Sequence, residues 1–379
     1  MTWEFATSGR ILFGSGVRRQ LPALVAAFGH RPLLVTGRHA IAEGAASGAD
    51  PEAQVIVQGE PTLDSVRAAV RACREADCDV VVGIGGGSVL DTAKAVAALA
   101  TNSGEPLDYL EVIGRGNALE AAPLPCIAVP TTAGSGSEVT RNAVIGSPEH
   151  GVKASLRHLS MLPRVAVVDP DLTITLPRAV TAVTGLDALT QLIEPYVSAR
   201  ANPLTDPLCL EGIRRIAQSL SRAAGGASDI GSRTDMSLAS LFGGLALANA
   251  GLGVVHGFAA PIGAMFDAPH AAVCAALLPH GMAVNLRALR ARASNHPAIA
   301  RYRDVAVALT GNADASPDDG VAAVVAMVDE LDVPRLCAYG ITESDVEGIC
   351  AKAQRASSMK ANPIELTPAE LRDVLASAL

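Results

Sequence analysis

The chain has 379 residues, long enough for two or three domains with cores of their own, and its 49% hydrophobic and 18% charged residues exclude a disordered or fibrous protein. Thirty Lys+Arg against 38 Asp+Glu leave a net charge of −8, which repels phosphate backbones and anionic lipid, so no nucleic acid and no membrane is expected as a partner and a small molecule is. Seven cysteines, an odd number without a CxxC pair, exclude a disulfide scaffold and a zinc ribbon.

The opening MTWEFATSGRILFGSG lacks a basic segment followed by an apolar one, which predicts a cytoplasmic protein. Short apolar runs then recur at Leu33–Thr36, Gln54–Val57, Val80–Ile84, Cys126–Val129 and Val165–Val168, as expected of strands buried on both faces of a parallel sheet. Helices are predicted between them over Thr62–Ala76 and over Ser88–Ala100, the second with Val89, Leu90, Ala93, Val96, Ala97 and Ala100 on one stripe. This is a doubly wound α/β pattern. Beyond Pro177 strand-like runs cease and helical patterns continue to the end, where Thr367 and Glu370 form a capping box. The expected architecture is an α/β dinucleotide-binding domain over residues 1–175 and an all-helical metal and substrate domain over 176–379, with a cleft between them. From Met236 to Phe266 no charged residue occurs, but Asn249, His256, Pro261 and several glycines interrupt the stretch, which reads as closely packed buried helices and not as a membrane span.

Two loops follow buried strands. The run Val80–Ile84 leads into Gly85-Gly86-Gly87-Ser88, with Ser88 expected to cap the next helix; glycines admit a ligand close to the backbone, and a helix N-terminus attracts phosphate. Cys126–Val129 leads into Pro130–Ser137, small and hydroxyl-rich, so the two loops could face each other at the carboxyl edge of one sheet. Lys153, one of four lysines, lies shortly afterwards and is either a phosphate or ribose contact or a solvated surface residue. In the helical half Asp187 and Gln191 stand four apart on one helix face, and His256 and His270 each lie in an apolar setting. Brought together, a carboxylate, an amide oxygen and two imidazoles make a mixed N/O site for Fe(II) or Zn(II); spacing by itself does not bring them together.

These segments resemble the iron-containing (group III metal-dependent) alcohol dehydrogenase family over nearly the whole chain: GGGSVLDTAKA and PTTAGSGSEVT its nucleotide loops, GLDALTQLIEPYVS its first ligand helix, HGFAAPIGAMFDAPH and LLPH its later ligand segments, and NPIELTPAELRDVLASAL its C-terminal end. The resemblance implies that Gly86, Gly87, Ser88 and Asp91 hold NAD(P)H with Thr131, Thr132, Ser135, Asn142 and Lys153. It also implies that Asp187, the Gln191 position, His256 and His270 hold the metal and serve catalysis. Two departures stand out. The family's usual histidine is Gln191 here, a weaker donor, and its frequent histidine four residues after the first downstream ligand is Ala260, which removes a proton carrier.

Gly37, followed by Arg38, occupies the position where NAD-selective relatives carry an acidic residue, which leans the preference towards NADP(H). The activity implied is hydride transfer between a nicotinamide and a carbonyl carbon, with a divalent ion as Lewis acid. Two alternatives stay open: a metal-independent, maleylacetate-reductase-like enzyme reducing an activated C=C bond, consistent with Gln191, and a non-catalytic dinucleotide-binding protein. A homodimer is the expected assembly.

Overall fold

In the computed structural model, which describes residues 2–42, 44–45, 50–225 and 229–379, each of the five apolar runs becomes a strand. In chain order the first part contains β1 (Arg10–Phe13), α1 (Leu21–Phe28), β2 (Pro32–Gly37), α2 (Arg38–Ala42), β3 (Ala53–Val57), α3 (Leu63–Glu75), β4 (Val80–Gly85), α4 (Gly87–Ala100) and the single turn α5 (Pro106–Tyr109). β5 (Cys126–Pro130), β6 (Asn142–Ser147), β7 (Val152–Arg157) and β8 (Val165–Val168) complete it. Six strands pair in the order β1-β8-β5-β4-β2-β3, all parallel. Side chains alternate across a strand, and both faces are covered. Leu33, Val35 and Val81 pack with α3 and α4, whereas Leu34, Val80, Val82, Ile127 and Val167 pack with Leu21, Leu24 and Val25 of α1.

Connections from β2 run outward to β3, and those from β4 run the other way to β5, so the strand order reverses between β2 and β4. Ligands bind α/β sheets outside the carboxyl ends of strands at such a reversal.

Three features differ from the sequence reading. β3 is an edge strand whose burial alternates, with Ile56 46% exposed, so it is not buried on both faces. β6 and β7 form an antiparallel hairpin that the search for continuous apolar runs passes over, because Asn142–Ser147 alternates buried and open positions. β1 is short and begins with an exposed arginine, so it too escapes that search.

The helical part contains α6 (Arg178–Val197), α7 (Thr205–Ala224), α8 (Ile230–Ala250), α9 (Val254–Phe266), α10 (His270–Arg292), α11 (Pro297–Thr310), α12 (Pro317–Glu330), α13 (Val346–Ala353) and α14 (Pro368–Ser377). The expected capping box starts α14, with Thr367 Oγ1 accepting from the Glu370 N–H at 3.2 Å and Glu370 Oε2 accepting from the Thr367 N–H at 2.7 Å. The charge-free stretch forms α8 and α9, bent by 99° at the glycines between them. α10 is long and apolar enough to cross a bilayer, but 83% of its most apolar window is buried inside the protein, as in the core helix of a globular unit. One contiguous core joins α6 through α14, with Leu186, Leu189, Ile213, Phe258 and Leu277 fully enclosed.

By contact density the chain forms two units. One comprises Ala6–Thr132 and Gly136–Thr175; the other comprises Leu176–Leu379, the N-terminal residues up to Phe5, and Ala133–Ser135.

Candidate active site

In the α/β unit both loops emerge from adjacent strands, with Gly85 opposite Pro130 in the register and the Thr131 N–H donating to Gly85 O at 3.0 Å. Helix α4 starts earlier than expected: Gly86 is its N-cap, and Ser88 lies inside the first turn instead of capping it. Among the described residues no side chain caps this end; the intrahelical bonds begin with Val89 N–H to Gly86 O at 3.0 Å, leaving Gly87 and Ser88 ahead of the ladder. An added Cβ at Gly86 would stand 3.4 Å from both Thr132 Cγ2 and Oγ1, so the glycine keeps open the gap between the loops. That open, uncapped helix end suits a diphosphate. Gly37 ends β2, the neighbour of β4, and exposed Arg38 follows it, so both lie at the same carboxyl edge as Gly86, Gly87, Ser88, Thr131 and Thr132.

Asp91 is committed within the unit: it accepts from Ser137 Oγ at 2.6 Å and from the Val144 N–H at 2.8 Å, and pairs with Lys94 at 3.1 Å. Lys94, fully buried, donates to Ser137 O at 3.0 Å and Thr140 Oγ1 at 2.9 Å. The pair fastens the end of the second loop to α4. Lys94 is a positioning residue that the sequence reading passed over, although a lysine three residues after Asp91 on a helix is its signal. Asn142 and Lys153 lie on the hairpin, and Lys153 is largely covered and paired with Glu60. Ser135 lies in the segment Ala133–Ser135 that packs with the helical unit, where an added Cβ at Gly134 would meet Thr184 Cβ at 2.7 Å.

In the helical unit three helices supply one cluster. Asp187, Gln191 and Glu194 stand along a single buried stripe of α6. His256 lies in the first turn of α9, and His270 opens α10 with Cys274 one turn later. Ligand atoms of Asp187, His256, His270 and Cys274 all lie within 4.8 Å of one another. Glu194 orients this group. Its Oε1 accepts from the Val255 N–H at 2.7 Å, and its Oε2 lies 2.7 Å from His256 Nδ1, which leaves His256 Nε2 facing Asp187 Oδ1 at 3.5 Å. Gly253 makes the approach possible, because a Cβ there would stand 2.9 Å from Glu194 Oε1. A carboxylate behind a histidine is the arrangement that fixes the tautomer of metal-binding imidazoles.

Gln191 is turned differently from a ligand: its amide Nε2 donates to Asp187 Oδ2 at 3.2 Å, and its Oε1 lies where a Cβ on Gly243 would meet it at 3.4 Å. Among the described residues, Asp187 Oδ1 and Gln191 Oε1 are both buried with no hydrogen-bond partner. A buried carboxylate oxygen so placed is costly unless a cation shares the site.

The cluster's own charges favour positive charge on its histidines. Burial opposes a charged His256, yet Cys274, Asp187 and Glu194 outweigh it and hold the imidazole well above the ordinary 6.5. The Cys274 sulfur, ahead of opposing burial and the contribution of Asp187, raises His270 to about 9. Burial works to raise Asp187, but the two histidines prevail and lower it. Sequence reading missed Glu194 and Cys274, although each stands at helical spacing, seven after Asp187 and four after His270.

Two family comparisons cover most of the chain: residues 8–170 match iron-containing alcohol dehydrogenase, and residues 181–379 match the C-terminal part of the Fe-containing alcohol dehydrogenase family. The chain belongs to the iron-containing alcohol dehydrogenase family. It is 36% identical to alcohol dehydrogenase 4 of Saccharomyces cerevisiae over 322 residues, spanning 85% of this chain and 81% of the yeast one. It is 40% identical to the probable alcohol dehydrogenase EutG of Salmonella typhimurium over 321 residues, 84% of this chain and 78% of that protein. A crystal structure of a 1,3-propanediol oxidoreductase superposes with a TM-score of 0.91 at 30% identity, covering 100% of both chains. As a member of this dehydrogenase family the protein is an oxidoreductase that interconverts an alcohol and a carbonyl compound with an NAD-type cofactor, and its family implies a metal. The residues present fit such an ion, since Asp187 Oδ1 has no other partner and three further donors surround it.

Proposed function

We propose that this dehydrogenase reduces an aldehyde or ketone, or oxidises the matching alcohol, with NADPH as preferred cofactor and one divalent ion, Fe(II) or Zn(II), held by Asp187, His256 and His270. The observation that carries the reading is the unpartnered, buried Asp187 Oδ1 beside two imidazoles. When bound, the ion would supply Lewis acidity at the substrate oxygen and the nicotinamide the hydride chemistry at the adjoining carbon.

The chain itself supplies position and burial. Glu194 holds His256 in one orientation, and the apolar side chains of α6, α9 and α10 bury Asp187 and His256 while His270 stays partly open. The open end of α4 offers backbone N–H groups to the cofactor's phosphates. Ala260 cannot carry a proton, so a proton relay would need the cofactor's ribose hydroxyls, water or another side chain. Arg38 beside Gly37 offers a cation to a 2′-phosphate, which supports NADPH. Six buried free thiols and one exposed one suit a reducing compartment, which supports a cytoplasmic location, and a homodimer is the assembly proposed, twofold pairs being the commonest closed assembly.

Replacing His270 with Ala tests the reading. Bound metal and turnover should fall together while dinucleotide binding, followed by fluorescence, persists; normal activity in that variant refutes it. The metal-free reduction of an activated C=C bond is the second reading, favoured by Gln191, and activity on an enone acid but not on simple aldehydes, without metal, would replace the first.

A further inference from the structure

We infer that Cys274 is the fourth protein donor of the metal centre, taking by its sulfur the coordination position that the glutamine on α6 has left. The inference rests on the reading of this cluster as a metal site and adds a ligand to it. Three observations lead to it. Cys274 is buried, one turn after His270 on α10, and its Sγ lies 3.7 Å from His270 Nε2 and within 4.8 Å of the donor atoms of Asp187 and His256. Gln191 presents an amide N–H₂ to Asp187, a group that cannot ligate a cation, while its Oε1, itself buried without a hydrogen-bond partner among the described residues, lies on the Gly243 side. Asp187 Oδ1, in a side chain 3% exposed, is without a hydrogen-bond partner.

The chemistry follows from the donor set. A cysteine binds metal as thiolate, so its proton passes to solvent as the ion enters, and the site carries one more negative charge than an Asp and three neutral donors would. Thiolate is a soft donor that suits Zn(II), whereas an Asp and histidines alone suit Fe(II) as well. The donor set of this chain therefore favours zinc over iron. Gln191 becomes a positioning residue, holding one oxygen of Asp187 so that the other points at the ion.

The test uses the full-length protein, stripped by chelation and loaded with Co(II), which reports sulfur ligation through a near-ultraviolet thiolate-to-metal charge-transfer band. One Co(II) per chain with that band is expected in the wild type and in Cys337→Ser, which alters the exposed thiol. In Cys274→Ser the band should vanish, and zinc affinity should fall by about 100-fold or more, at or beyond the upper range seen for loss of an outer-shell partner. X-ray absorption at the zinc edge of the wild-type protein needs no variant and should show one sulfur at about 2.3 Å. Stoichiometric Co(II) without a charge-transfer band, a band that survives in Cys274→Ser, or a zinc shell of nitrogen and oxygen only overturns the assignment of Cys274 and leaves the metal centre standing. Failure of the wild type to bind any divalent ion overturns both.

Discussion

Glu194 shows how one side chain decides whether another can act. Its two oxygens are divided between the Val255 N–H and His256 Nδ1, at 2.7 Å each, so the imidazole donates from Nδ1 and, in the neutral form that binds metal, carries its lone pair on Nε2. In Glu194→Gln the amide N–H₂ would face Nδ1, forcing the proton onto Nε2. Metal affinity should then fall by about 10–100-fold with the fold intact, as measured by competition with a chelator, and an unchanged affinity would show that the tautomer does not matter. Glu138 makes a different point. Burial, only partly countered by a backbone hydrogen bond and Lys94, raises its carboxyl from 4.5 to about 7. The folded state then holds the proton more tightly than the unfolded chain, so the contribution of this one carboxyl to stability is fully present below about pH 4.5 and is lost as pH rises towards 7, by at most about 3 kcal/mol at 1.36 kcal/mol per unit. In Glu138→Gln this loss disappears. The gain in urea midpoint over the wild type should grow from pH 5 to pH 8, and a gain equal at both would rule out the carboxylate as its source.

At the scale of elements, the position of the phosphate loop depends on how closely α4 lies on β4. An added Cβ at Gly83 would stand 2.8 Å from Ala93 Cβ and 3.3 Å from Leu90 Cδ2, closer than packed carbons sit. Gly83→Ala should therefore cost about 1–3 kcal/mol in unfolding measurements and weaken dinucleotide binding by displacing the helix end. Stability equal to wild type would mean that α4 can slide without consequence. Those two elements were legible because their patterns are strong: a continuous apolar run, a triple glycine and a helical stripe. The start of α4 was not, since Ser88 has the residue type of a cap but Gly86 holds the capping conformation. The hairpin of β6 and β7 was hidden for a related reason: half-buried strands alternate in polarity and make no continuous run.

At the scale of the whole molecule, cofactor choice tests the carboxyl edge of the sheet. A Cβ on Gly37 would meet only Val89 Cγ2, at 3.9 Å, so the backbone there admits a side chain. The wild type should show a higher kcat/KM with NADPH than with NADH. Gly37→Asp should shift that ratio towards NADH by at least about tenfold, the worth of one hydrogen bond to a charged group; a wild-type preference for NADH would remove Arg38 from the phosphate contact. The sequence alone determined the doubly wound α/β part, the helical remainder, the two glycine- and hydroxyl-rich loops and three of the donors, because periodicity and residue type are local properties written directly in the chain. Only tertiary structure decided that the strand order reverses between β2 and β4, that Gln191 turns its amide nitrogen to Asp187, and that Glu194 and Cys274 complete the cluster. Those facts depend on how α6, α9 and α10 cross, and a crossing brings together residues separated by dozens of positions through packing that no single segment encodes.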